Sequence, residues 1–259
     1  MSTPTVLLSG VFALAASGVF AQAPAFEVAT IKPTAPDWDG GKIIRMESAN
    51  RFVALDYTLK ALVGAAYNLT PSTISVGPGW METDGYDILA KTPGEVRPGL
   101  DEQMSMLRSL LADRFKLSFH REQKELSIYA LTVAKNGSKL KESTAPPDQL
   151  PVLTNHIFPD HVSLPGRNAT MAQLASVLQR AVADRPVIDK TGLGGKYDFD
   201  LEWTADETQF GGQIRGTPAQ PTRPGLFTAM QEQLGLKLEA TKSPVEVLVI
   251  DRVERPSAN

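Results

Sequence analysis

Three histidines and one acidic run hold most of the side chains in this chain that could do chemistry. His156 and His161 flank Asp160, and two imidazoles with a carboxylate form a ligand set that zinc accepts. Their five-residue spacing falls in a stretch that reads as loop, where solvated histidines are the simpler account. His120 lies on a strand read over residues 116–121, opposite Leu117 and Phe119, which makes it a polar-face residue rather than a base. The run His120-Arg121-Glu122-Gln123 lacks the His-Glu-x-x-His pattern of helical zinc proteases. Asp198, Asp200 and Glu202 alternate with Tyr197, Phe199, Leu201 and Trp203. Period two then puts three carboxylates on one face and the apolar side chains toward a core. A calcium site needs about six to eight oxygen ligands. A glycosidase needs two acids about 5 to 9.5 Å apart across a cleft. One straight strand face supplies neither, so the acids read as a solvated face. Trp80 follows Gly77-Pro78-Gly79, placed either to stack on a ligand or to plug one end of a core. Trp80, Asp198, Asp200 and Glu202 are the candidate ligand-surface residues.

No Gly-x-Ser-x-Gly nucleophile elbow and no Gly-x-x-x-x-Gly-Lys-Ser/Thr phosphate loop occurs. Gly192, Gly194 and Gly195 precede a strand rather than a helix, so they read as a turn. The chain has no cysteine, which excludes a thiol nucleophile and thiolate zinc sites. No catalytic, cofactor-binding or metal-binding residue is assigned, and no cofactor is called for. The net charge of -3, with no basic run, argues against nucleic acid as a partner.

The elements that would hold these residues recur along the chain. Leu59, Leu62, Val63 and Ala66 after Thr58 form one apolar helical stripe, and Met171, Leu174, Ala175 and Leu178 repeat it after Thr170. Thr170 with Gln173 reads as a capping box. A strand containing Tyr-Asp follows each helix, at Tyr86-Asp87 and Tyr197-Asp198. Leu111, Phe115, Leu117, Phe119, Leu126 and Leu131 match Met230, Leu234, Leu236, Leu238, Val245 and Ile250 at a constant offset of 119. Arg97-Pro98-Gly99-Leu100 matches Arg223-Pro224-Gly225-Leu226 at 126, so the second helix of the first half should be 7 residues longer. The pattern predicts an α+β fold of two related halves, each a mainly antiparallel sheet with two packed helices. Each half should end in a strand pair, with residues 247–250 forming a central strand covered on both faces.

The predicted organisation is a signal peptide over residues 1–23, a first half-repeat over 24–142, a linker over 143–150, and a second half-repeat over 151–259 with a mobile loop at 204–224. The apolar run 6–20 is shorter than the roughly 20 residues of a membrane span, so the mature chain should carry no membrane span. With 42% apolar and 21% charged residues the chain can build a core without disulfides. The expected location is periplasmic or extracellular.

Five stretches stand out as motifs: Phe26-Glu27-Val28-Ala29-Thr30-Ile31-Lys32-Pro33, Gly77-Pro78-Gly79-Trp80, Leu110-Leu111-Ala112-Asp113-Arg114-Phe115, Arg185-Pro186-Val187-Ile188-Asp189-Lys190-Thr191-Gly192 and Glu232-Gln233-Leu234-Gly235-Leu236. Together they resemble a family of uncharacterised, exported, soil-associated proteins that is abundant and paralogous in acidobacteria and described as a domain of unknown function. The resemblance implies an exported protein, some of whose relatives carry the domain behind a sensor-type membrane metallopeptidase, and it brings no site residues. In outline the half-repeat is also similar to the short N-terminal domain of secretins and TonB-dependent receptors. The expected function is a non-catalytic binding or interaction module, its partner an envelope or extracellular protein or glycan. The alternatives are a sensory or structural envelope domain, or an extracytoplasmic hydrolase.

Overall fold

The structure is a computed structural model that describes residues 23–75, 77–146, 148–182, 185–212 and 223–256. The first half of the chain runs β1 (Val28–Pro33), β2 (Ile43–Met46), β3 (Arg51–Thr58), α1 (Leu59–Tyr67), α2 (Trp80–Thr83), β4 (Gly85–Lys91), α3 (Leu100–Arg114) and β5 (Ser118–Val133). The second runs β6 (Lys141–Glu142), β7 (Val152–Leu153), β8 (His156–Ile157), β9 (Val162–Ala169), α4 (Met171–Val177), β10 (Val187–Asp189), β11 (Tyr197–Trp203), α5 (Leu226–Ala229) and β12 (Leu236–Arg252). The fold is α+β, with mixed helices and mainly antiparallel sheets. Two four-strand paths, β1-β4-β3-β2 and β6-β11-β9-β7, are antiparallel throughout, with β8 also on β9.

Each sheet carries its own core. The first gathers Phe52, Leu59, Leu62, Leu107, Leu111 and Phe115, and the second Leu164, Leu174, Leu201, Trp203, Met230 and Leu236. Both predicted helical stripes are buried. Thr58 starts α1 by accepting the Ala61 N–H, and Thr170 with Gln173 forms the expected capping box on α4. Both helices that precede the long strands stop at a left-handed residue, Lys116 with φ 51° and Gly235 with φ 65°. The helix before Lys116 has 15 residues. Its counterpart has 4 in α5, then 5 in a π-helical turn over Met230–Leu234, which makes 9. The difference of 6 is close to the expected 7.

The expected strand pair at the end of each half does not form. β5 and β12 are single strands of 16 and 17 residues that pair antiparallel with each other, from Leu236↔Val133 to Arg252↔Ser118. Residues 122–125 and 240–244 contain no glycine or Asn-Gly to reverse the chain, so the backbone continues and finds its partners on the other strand. One end of this ribbon packs Leu117 and Leu248 into the first core, and the other packs Leu131, Leu236 and Leu238 into the second. β10 adds a parallel strand on β5, and Ile74 makes a parallel bridge to Leu248. Residues 247–250 therefore run between β5 and the Ile74–Ser75 segment, and Ser75 N–H donates to Leu248 O.

The predicted signal peptide over residues 1–23 lies outside the described residues except for position 23, and residues 213–222 of the predicted loop also lie outside them. Within the described part of that loop Thr204, Ala205 and Gln209 are buried, Asp206, Glu207 and Thr208 are exposed, and a 3₁₀ turn covers Gln209–Gly212. Among the described residues no helix is long and apolar enough to cross a membrane.

Candidate functional site

β11 alternates as expected, with Tyr197, Phe199, Leu201 and Trp203 buried. Its three acids each have a structural partner. Asp198 Oδ1 accepts the N–H of Asn168 at 2.8 Å, and Asn168 sits at φ 53° where β9 bulges against β11. That N–H, with the Ser143 hydroxyl behind it, holds the Asp198 carboxyl below its ordinary range. Asp200 pairs with Arg167 at 2.8 Å and Glu202 with Arg223 at 2.7 Å. The Gln233 side chain brackets Glu202 through its backbone, donating to Glu202 O and accepting from Glu202 N.

The same lock recurs in the first half. Asp87 Oδ1 accepts the N–H of Asp56 at 3.0 Å and the Thr34 hydroxyl at 2.8 Å, and Asp56 has φ 56°. The repeated Tyr-Asp is thus a bulge device. A left-handed residue turns its N–H onto a carboxylate of the next strand, and the chain then enters the helix capped two residues later by Thr58 or Thr170. Asp198→Ala is expected to lower stability by about 1.5 to 3 kcal/mol, the range for losing a hydrogen bond to a charged acceptor. Because the folded carboxyl is held low, its contribution is present above the unfolded value of about 3.9 and is lost as the pH falls through the folded value. Urea midpoints of variant and parent should differ at neutral pH and converge in acid.

Both ring nitrogens of His120 are engaged, Nδ1 with Asp251 at 2.7 Å and Nε2 with Glu122 at 3.1 Å. Glu122 first and Asp251 second push the imidazole pKa up, so it favours the protonated form on an exposed strand face. His161 Nδ1 lies 2.8 Å from Asp160, and its ring stacks on Phe158 at 4.6 Å. His156 is exposed on β8. Among the described residues no cluster of three or more His, Asp and Glu could hold a metal. Trp80 is half-buried against the first core. The Arg255 guanidinium lies 5.1 Å over its ring while pairing with Asp84 at 2.9 Å, so the ring is partly covered.

A feature absent from the sequence reading is a cleft of about 760 Å³ where the two halves meet. Beside the buried apolar stripe of α1, Ala61, Gly64 and Ala65 line the cleft with little or no side chain and open one wall, with Lys60 at their edge. Ile44 and Arg45 of β2, with Lys42 before it, form a second wall, and Leu153, Asn155, Val177 and Arg180 close the opposite side. Phe52, Tyr57 and Met104 make the lining apolar. The seam is pinned at Asn68, the left-handed cap of α1, which accepts from Gln179 Nε2 at 2.7 Å and from Ser176 Oγ at 3.1 Å. Gln179 Oε1 in turn accepts the Val187 N–H.

Four cations line this cleft, Lys42, Arg45, Lys60 and Arg180, and no Asp or Glu stands among its described lining residues. Lys60 pairs with Glu82 at 2.8 Å. Among the described residues Lys42, Arg45 and Arg180 have no carboxylate at ion-pair distance. Crowding by protein atoms pushes the Arg180 guanidinium below its ordinary value, with Asp101 acting the other way, while solvent reaches it through the mouth. Asn155 Oδ1 is buried with no hydrogen-bond partner among the described atoms. The small outward face of α1 was the only local trace of this site in the sequence, since its cations come from positions as far apart as 42 and 180.

Comparison with curated proteins gives no match, and none is found among solved structures. One family model, described as a protein of unknown function (DUF3738), matches residues 60–253, which includes α1 and the second-half wall of the cleft but not β2.

Proposed function

The chain belongs to the DUF3738 family, and on that premise we propose that it is a non-catalytic binding module whose ligand occupies the cleft between its halves. One observation carries this reading. The cleft combines an apolar lining with unpaired cations, whereas each acid of the β11 stripe and His120 are spent on structural contacts. Pockets of about 300 to 1,000 Å³, largely apolar with a few polar groups, are the usual shape of small-molecule sites.

The two halves are read as copies of one unit, which gives the cleft its place at the junction. Supporting this, the bulge lock, the threonine caps and the left-handed helix stops recur at matching places. The ribbon register agrees as well: Glu125 pairs with Pro244, 119 residues away, and Leu131↔Leu238 maps onto Ile250↔Phe119 by the same shift. The exported setting rests on the apolar run at residues 6–20.

The test uses a neutral apolar dye, phenylnaphthylamine. Saturable binding at one site with a dissociation constant in the micromolar range is expected. Ala61→Trp fills the cleft from α1 and should abolish the binding while the circular dichroism spectrum stays unchanged. Binding that survives Ala61→Trp would put the site elsewhere.

A further inference from the structure

We infer that the cleft selects an anionic amphiphile, a single carboxylate or phosphate head on an aliphatic body. This rests on the cleft being the binding site. Charge complementarity carries it: Lys42, Arg45 and Arg180 line the cleft without a carboxylate among the described lining residues, in a chain whose net charge is -3. Three cations around one cavity, none with a carboxylate at ion-pair distance among the described residues, stabilise negative charge there. Arg180 is exposed, its described hydrogen bond is a long one to Ser176 O, 3.4 Å, and Asp101, outside the lining, is the carboxylate whose charge acts on it. Phe52, Tyr57, Met104 and Val177 also line the cleft. These side chains reward aliphatic or aromatic surface.

The test is displacement of the bound neutral dye by four amphiphiles sharing a twelve-carbon chain, all below their micellar concentrations: dodecanoate, dodecyl phosphate, dodecanol and dodecyltrimethylammonium. The two anions should displace the dye at least tenfold more tightly than the neutral and cationic chains. The triple variant Lys42→Gln, Arg45→Gln, Arg180→Gln should lose that advantage, so that the two anions and dodecanol displace the dye at comparable concentrations. Equal displacement by all four would overturn the inference and leave the cleft as a binding site. Displacement by none would exclude the aliphatic class. Retained anion preference in the triple variant would also overturn it. Sedimentation with anionic phospholipid vesicles, without displacement by the free anions, would assign the cations to a membrane surface instead and reject the cleft ligand. Failure of the dye itself to bind would count against the binding-module reading, a result separate from these.

Discussion

Replacing Trp203 with alanine is expected to cost about 4 kcal/mol and to unfold both cores in a single transition. Trp203 ends β11 fully buried, stacks against Phe210 with ring centroids 6.4 Å apart, and donates Nε1–H to Gln209 Oε1 at 2.8 Å. Alanine would leave a large cavity and a buried amide oxygen without its donor, and both effects destabilise. The loss should not stay local. β5 and β12 each pass from one core to the other, so the second core cannot melt without removing Leu248 and Leu117 from the first. In a Trp38→Phe background, the Trp203→Ala protein keeps only Trp80, which packs against the first core. Its fluorescence and the far-ultraviolet circular dichroism should share one lowered urea midpoint. A Trp80 signal that kept the parent's midpoint would show that the cores fold independently.

Gly235→Ala is expected to cost about 3 kcal/mol, joining a left-handed backbone penalty of about 1 to 2 kcal/mol with overpacking. At φ 65° a Cβ would fall on the Gly137 carbonyl oxygen and lie 2.8 Å from Lys139 N, both backbone atoms that cannot swing away. Lys116 occupies the same place after α3, at φ 51°, with its side chain exposed. Lys116→Gly should therefore stabilise, by up to about 1 kcal/mol, through relief of the left-handed penalty. Urea unfolding of both variants checks the pair. Equal and small effects at both sites would contradict the packing described around Gly235.

What the sequence made legible was local. The stripes of α1 and α4, the capping box and the alternation of β11 depend on neighbours within about one helical turn or one strand, and the structure has them as expected. The recurring Tyr-Asp was visible as a pattern. Its purpose was not, because it depends on the left-handed backbone of Asp56 and Asn168, residue types that tolerate that conformation without requiring it. The long ribbon was misread as strand pairs because continuation or reversal at residues 122–125 is decided by a partner strand 119 to 125 residues away. The cleft stayed hidden for a related reason. Lys42, Arg45 and Arg180 form no run along the chain, so the absence of a basic stretch in sequence coexists with a basic concavity in space.

The most direct test of the cleft as a binding site is an amide-shift titration of the nitrogen-15-labelled protein with dodecyl phosphate. Perturbations should concentrate on Ala61, Gly64 and Ala65 of α1 and on Leu153, Asn155 and Arg180 across from them, saturate together, and vanish in Ala61→Trp. Shifts that centre instead on the exposed Leu150, Val152, Ile157 and Phe158, or that persist unchanged in Ala61→Trp, would contradict the account.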